Sequence, residues 1–454
     1  MSRVVVRVAG VPNEDDAGEQ IFLSLEDPPF DIKDFEKLHP FECPSGSLMK
    51  LFYEEPPSGE NMRAIGEALL GKLGDHPAVA TAVQYAFQQN DCCPLYLRLI
   101  GSETAAAYPW ETLFDAGNGF LALEDRWPIA RIAAQIPREK DVRTFTSPLK
   151  VMAVMSAIGV PADDEWTALR QALVGAQLKQ ELEVDVWVGE KTLAERIRSD
   201  LATDGLPGTV NLLTEGPELL RDLQRFDPHL LHLFCHGQGG TSPLLKLATR
   251  RDHYLREGNS SVVLEPLQLR NRGRSTWLVT LNSCEGGSDS DGARSIAYLL
   301  IGAGYPAVIG MRDPVSSADA ALFTRSFYGS LLDHLDSHLV NGEEVEIELA
   351  ASLVTPRRQL RDKYINAHHT PREAAALHRD WTLPVLYVRP DPLRIERVAA
   401  DPKHSTIDRR NSTDYLNTLM KYRLEAPPDT PPDALRRVDA EIRRALTVLE
   451  GGDG

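Results

Sequence analysis

Apolar residues along this chain gather into short runs that break off sharply, the pattern of strands buried on both faces of an open α/β sheet. From residue 146 to 390 such runs alternate with stretches of helical periodicity. The runs predict strands near 149–156, 183–188, 209–213, 229–236, 275–283, 305–311 and 382–388. Between them the spacing predicts helices near 164–181, 191–202, 215–225, 293–303, 316–334 and 343–365. Asp163 and Asp164 before Glu165, and Ser316-Ser-Ala-Asp before an apolar stretch, are N-cap signals for two of these helices.

Residues 1–145 open on the alternating Arg3-Val-Val-Val-Arg-Val-Ala, with a helical stretch near 62–73 and strand-like Pro94-Leu-Tyr-Leu-Arg-Leu-Ile. They predict a smaller α/β layer flanking the main sheet, with Trp110 in its core. Residues 391–432 are polar and end in Pro427-Pro-Asp-Thr-Pro-Pro432, the composition of a linker. In 433–450, Leu435, Val438, Ile442, Ala445 and Leu449 share one helical face, so an amphipathic helix is expected there. Flanked by Glu and without aromatics, that helix suits a protein surface better than a membrane.

Two apolar runs end in reactive side chains. Leu230-Leu-His-Leu-Phe-Cys-His236-Gly237 delivers an imidazole, and Trp277-Leu-Val-Thr-Leu-Asn-Ser-Cys284-Glu-Gly-Gly delivers a thiol. The carboxyl ends of parallel strands are where open α/β sheets carry their ligands. A histidine and a cysteine on such ends form the pair that thiol catalysis needs. The imidazole handles the proton of Cys284, and the N–H groups of Gly237 and Cys284 face the developing oxyanion. Alternation turns Cys235 away from His236, as an inert small hydrophobe. His232 and His236 lie too far apart on a strand to share one metal, so no metal site is expected. The stretch between His236 and Cys284 is expected to contain no helix. After Cys284, Glu285-Gly-Gly-Ser-Asp289-Ser-Asp-Gly predicts an acidic loop, either a solvated entry to the next helix or a segment that faces substrate and orders on binding. Its Asp289-Ser-Asp-Gly resembles the start of a calcium loop without the closing glutamate.

These pieces resemble the CHAT family of caspase-like cysteine proteases, relatives of caspases and separases. Tyr108-Pro-Trp110-Glu111, then Gly119-Phe-Leu-Ala-Leu and Ile129-Ala-Arg131, resemble the family's Pro-Trp-Glu motif. Leu149-Lys-Val-Met-Ala-Val-Met resembles its first catalytic-domain strand. His236-Gly237 and Asn282-Ser-Cys284 resemble the two catalytic motifs. Gly302-Ala-Gly-Tyr-Pro-Ala-Val-Ile-Gly-Met311 and Trp381-Thr-Leu-Pro384-Val-Leu-Tyr resemble the later strands, extending the likeness over roughly residues 80–390. The resemblance implies a caspase-like open sheet with helices on both faces, and a cysteine endopeptidase acting through a thioester. It nominates Met155, Ser156 and Asn282 for the pocket that holds the residue before the cut. Asp313 stands where the family often has a bulky residue, so the acidic Glu285, Asp289 and Asp313 join the candidate substrate contacts. Resemblance further implies a bacterial protein of defence or programmed death, with a protein substrate encoded nearby and a protein partner that activates or inhibits it. Two rival readings are a catalytically silent scaffold, against which retention of both His236 and Cys284 speaks, and a different thiol acyl-transfer enzyme such as an amidase or transglutaminase-like protein, whose motifs usually place Cys before His.

Composition narrows the setting. The 454 residues are enough for two or three domains and carry a net charge of −17, which repels nucleic-acid backbones. No apolar stretch reaches membrane-span length and no secretory leader opens the chain, while five irregularly spaced cysteines suit a reducing cytoplasm. Nothing in the sequence calls for a cofactor.

Overall fold

The computed structural model describes residues 3–12, 19–42, 59–133, 142–178, 181–238, 243–270, 272, 275–283, 290–339, 344–368, 379–398 and 420. Met1–Arg397 form one compact unit and Val398–Gly454 a second, of which only Val398 and Met420 are described. The expected helix at 433–450 therefore lies outside the described residues.

In chain order the strands are β1 (Val4–Pro12), β2 (Glu19–Asp27), β3 (His39–Pro40), β4 (Leu95–Ile100), β5 (Phe114–Asp115), β6 (Gly119–Phe120), β7 (Ile129–Ala133), β8 (Val142–Phe145), β9 (Leu149–Met155), β10 (Leu182–Val188), β11 (Gly208–Leu212), β12 (Leu230–Gln238), β13 (Leu244–Leu247), β14 (Val262–Leu264), β15 (Leu278–Ser283), β16 (Ala307–Met311), β17 (Glu344–Ile347), β18 (Pro384–Val388) and β19 (Leu393–Arg397). The main sheet runs β11-β10-β9-β12-β15-β16-β18-β7-β4-β1-β2-β3. It is parallel from β11 to β16 and again from β18 to β1, with an antiparallel β16–β18 junction between. This is the expected α/β architecture, and the strands of residues 1–145 extend the same sheet through the β18–β7 pairing.

Helices cover both faces, which is why the strands are apolar throughout. On one face Val151, Ala153, Met155, Leu278 and Ile309 meet Trp166 and Leu169 of helix Asp163–Gly175 and Phe323, Phe327 and Leu331 of helix Ser317–His338. On the other, Val154, Leu231, Leu233, Cys235, Val279 and Leu281 meet Leu219 and Leu223 of helix Gly216–Phe226, and Ile296 and Leu300 of helix Ser290–Ala303. Near the other end of the sheet, Met62, Ile65 and Leu69 of helix Gly59–Gly74 and Val79 and Ala82 of helix Pro77–Gln88 cover the N-terminal strands.

Several elements depart from the sequence expectation for local reasons. The segment between β12 and β15 holds the β13–β14 hairpin and a helix, Arg250–Leu255, where no helix is expected. Thr249 and Asp252 start that helix with a reciprocal capping box. The helix expected over 343–365 begins as β17, because Glu344-Val-Glu-Ile alternates with period two and pairs with β19; the helix itself is Val354–His368. β19 occupies the start of the expected linker, its Leu393 and Ile395 facing the core. Asp163 and Asp164 sit in the first turn of their helix and Ala162 at its N-cap, so the acidic pair acts through the helix dipole. Ser316 is an N-cap as expected, accepting from the Asp319 N–H.

Candidate active site

β12 and β15 are adjacent and parallel, with Leu230 opposite Leu278 and Cys235 opposite Ser283. His236 is the first residue of β12 past its pairing with β15, and Cys284, bonded to Ser283, follows the last residue of that pairing. Cys284, Glu285 and Asp289 themselves lie outside the described residues. Beyond Cys235, β12 continues against β13 on its other side, pairing His236 with Lys246 and Gly237 with Leu245.

His236 is half-buried, and its Nε2 lies 2.8 Å from the Ile158 carbonyl oxygen. A carbonyl only accepts, so Nε2 carries the proton in that bond, and the neutral ring then presents an unprotonated Nδ1. Nδ1 has no hydrogen-bond partner among the described residues. Ile158 belongs to a tight turn closed by an Ala157–Val160 bridge, and Gly159 supplies its φ of +78°. An imidazole oriented by a backbone carbonyl, with a free basic nitrogen, has the form of a general base. Cys235 takes the opposite part: it packs in the second core, where burial pushes its thiol up to about 12.

The nominated pocket residues are placed as follows. Met155 is buried at the end of β9. Ser156 is buried too, its Oγ donating to the Ala248 carbonyl at 2.5 Å. Asn282 points into the interior, its amide donating to Glu165 Oε1 (2.9 Å), Thr324 Oγ1 (2.9 Å) and the Ala320 carbonyl (3.2 Å). Asp313 follows the end of β16, with Oδ2 3.9 Å from Arg312 Nε.

Two buried polar clusters accompany the strand ends. In the first, Glu165 Oε1 accepts from Asn282 and, at 2.6 Å, from Thr324, and lies 2.9 Å from His232 Nε2. That last approach is close enough for an ion pair but is out of line for a hydrogen bond. Tyr328 donates to Thr280 beside it and packs edge-on to the His232 ring. The cluster ties the end of β15 to helices Asp163–Gly175 and Ser317–His338. In the second, Glu111 and Arg131, both inaccessible, pair in bidentate fashion at 3.0 and 2.7 Å. Arg312, next to Asp313, stands 3.7 Å from the same carboxylate. Burial pushes the Glu111 carboxyl up, but Arg131, then Arg312 and Arg357, outweigh it and hold the group below its ordinary range. Arg357 reaches the Ile129 and Pro384 carbonyls, and its own burial lowers it to about 10. Trp110 beside Glu111 is core packing, as expected. The sequence marks Glu111 and Arg131 as a motif; their pairing across the fold, and the Glu165 cluster, have no local signature.

The chain is thus an open-sheet α/β protein with an oriented imidazole at the carboxyl edge of its parallel strands. It belongs to the CHAT family: the CHAT domain model matches residues 63–341, more than half of the chain. No curated protein sequence matches it. Among solved structures it is similar to the separase–securin complex of Saccharomyces cerevisiae, with a TM-score of 0.36 and 14% identity over 71% of this chain. The matched part is 17% of the separase chain, so the protein spans a small portion of that relative. A ribokinase from Giardia lamblia also aligns, with a TM-score of 0.23 and 11% identity over 52% of this chain and 98% of that one. Among the described residues no group of side chains could hold a metal ion, and no helix is long and apolar enough to cross a membrane.

Proposed function

We propose that the protein is a cysteine endopeptidase working through His236 and Cys284. The observation that carries the reading is the β12–β15 register, which brings the two chain segments out on neighbouring strand ends, together with the unpartnered Nδ1 of His236. Membership of the CHAT family supports the same chemistry.

In this mechanism Nδ1 takes the proton from the Cys284 thiol. The sulfur attacks the scissile carbonyl, forming a C–S bond, and the oxyanion is held by the N–H groups of Gly237 and Cys284. His236 passes the proton to the leaving amine as the C–N bond breaks. The thioester is then hydrolysed by a water that gives its proton to the same nitrogen, regenerating the thiol. The neutral tautomer fixed by Ile158 has the correct free nitrogen for each transfer. The substrate is a protein encoded nearby in a bacterial defence or death pathway. The acidic Glu285, Asp289 and Asp313 would select a cationic residue, and a protein partner would control access.

The test is cleavage of a peptide library by the wild type, Cys284→Ala and Cys235→Ala. Cys284→Ala is expected to lose all turnover with an unchanged thermal midpoint. Cys235→Ala should stay active and lose about 1 kcal/mol of stability from a small apolar void. Retention of a tenth of wild-type turnover by Cys284→Ala removes the cysteine from the mechanism. Running the same library with a chain lacking residues 425–454 shows whether the C-terminal segment restrains activity (turnover rises) or is needed for it (turnover falls).

A further inference from the structure

Outside the dyad, Ser156, His253 and Glu190 are strung together like the members of a hydrolytic triad. His253 Nε2 lies 3.2 Å from Ser156 Oγ, and Nδ1 lies 3.8 Å from Glu190 Oε1. The serine is not a nucleophile: it is 1% exposed and already donates its proton to the Ala248 carbonyl. Having spent that proton, Oγ can only accept from His253, so Nε2 is the protonated nitrogen. Burial lowers the His253 pKa, with Asp252 opposing, which keeps the ring neutral in this role. Glu190 closes the other side, accepting the Ala162 backbone N–H.

The consequence is topological. Ser156 and Ala162 are the two ends of the turn that carries Ile158, and Ile158 holds His236. His253 at one end and Glu190 at the other therefore each hold the base of the turn from which the imidazole is oriented. The His253–Ser156 contact is tightly fitted against Gly189. A Cβ there would overlap His253 Cδ2, and would lie 2.5 Å from Ser156 Oγ and 2.6 Å from the Ala248 carbonyl oxygen. Helix Arg250–Leu255, whose capping box fixes Asp252 and hence its neighbour, supplies the histidine.

We propose that His253 and Glu190 are positioning residues that set the orientation of His236 by bracketing the Ser156–Ala162 turn. This rests on the His236–Cys284 reading above. The experiment measures iodoacetamide alkylation of Cys284 against pH, and kcat and KM on a cleaved peptide, in the full chain and its variants. His236→Ala reports on the dyad itself and should return alkylation to the rate of a free cysteine. His253→Ala should slow alkylation near neutrality and lower kcat by about fivefold, the equivalent of one orienting hydrogen bond, with KM unchanged. It should also move the alkylation midpoint toward that of an ordinary thiol. His253→Gln, whose amide N–H can reach the same serine oxygen, should restore both. Ser156→Ala, which removes the acceptor with little change in volume, should repeat the effect and decides the matter if His253→Ala does not fold. Slowing by His236→Ala with wild-type behaviour in both His253→Ala and Ser156→Ala overturns the inference and leaves the dyad standing. No effect of His236→Ala overturns the dyad reading instead.

Discussion

His229 shows how a single buried side chain sets the response to acid. It packs tilted against Trp277 and edge-on to Phe145, and its Nδ1 accepts the Lys150 backbone N–H at 3.0 Å. Burial, then Lys150, depresses its pKa from 6.5 to about 3. In the unfolded chain the ring takes up a proton below about 6.5, while the folded ring stays neutral down to about 3. The unfolded state therefore binds more protons across that window, and stability falls as pH drops through it. The slope from this one group is about 1.4 kcal/mol per pH unit at most. Denaturant unfolding of His229→Gln between pH 6 and 4 should show a shallower loss than the wild type; parallel curves would show that other groups govern the acid limb. The same scale explains what the sequence reveals of the site. His236 and Gly237 are legible because an apolar run stops at them. Asn282 is not: its position near the cysteine motif nominates it for substrate, yet its amide nitrogen donates into the interior, to Glu165, Thr324 and Ala320. Side-chain direction at a strand end depends on which helices arrive over it, and no local pattern encodes that.

At the scale of elements, period and punctuation place most strands and helices of residues 146–390. The misses are instructive. Helix Arg250–Leu255 is six residues long and shows no apolar stripe; only the Thr249–Asp252 capping box announces it. β17 sits in charged sequence and exists because β19 pairs with it. Tertiary partners, not propensity, decide such short segments. Close approaches between elements are equally silent in sequence. Gly66, in the middle of helix Gly59–Gly74, rests directly on the turn formed by Trp110–Thr112: a Cβ would overlap the Thr112 carbonyl oxygen and lie 2.9 Å from Phe114 Cβ. In an exposed helix, replacing Gly by Ala would gain about 1 kcal/mol. Here Gly66→Ala should instead destabilise by about 1–3 kcal/mol as helix and turn are forced apart. An unchanged or raised thermal midpoint would mean that the helix shifts freely on the Pro-Trp-Glu segment.

At the scale of the molecule, the two halves apparent in the sequence contribute strands to one sheet. Composition marks where helices and strands alternate, but which strands become neighbours is fixed by long-range contacts. Glu111 from the first half pairs with Arg131 and stands 3.7 Å from Arg312 of the second, so the junction is ionic as well as hydrogen-bonded. Removing one partner of so deeply buried a pair costs about 3–5 kcal/mol. Glu111→Ala should therefore lower the stability of the Met1–Arg397 unit as a whole, in a single cooperative transition. Two separated transitions in calorimetry would show that the halves melt independently.

That junction also bears on how the protein can be cut or recombined. β18 pairs with β16 on one side and with β7 on the other. A recombinant fragment starting at residue 146 would strip β7 away and turn an interior strand, Pro-Val-Leu-Tyr-Val, into a bare edge. Unpaired apolar edges of that kind template pairing with other copies. Such a fragment should elute from size-exclusion chromatography as aggregate, and co-expression with residues 1–145 should rescue it. The edges at β11 and β3, by contrast, are the ends of the sheet among the described residues. Insertions would be tolerated at those edges, and a boundary drawn between the strands from β9 onward and the preceding segment would not.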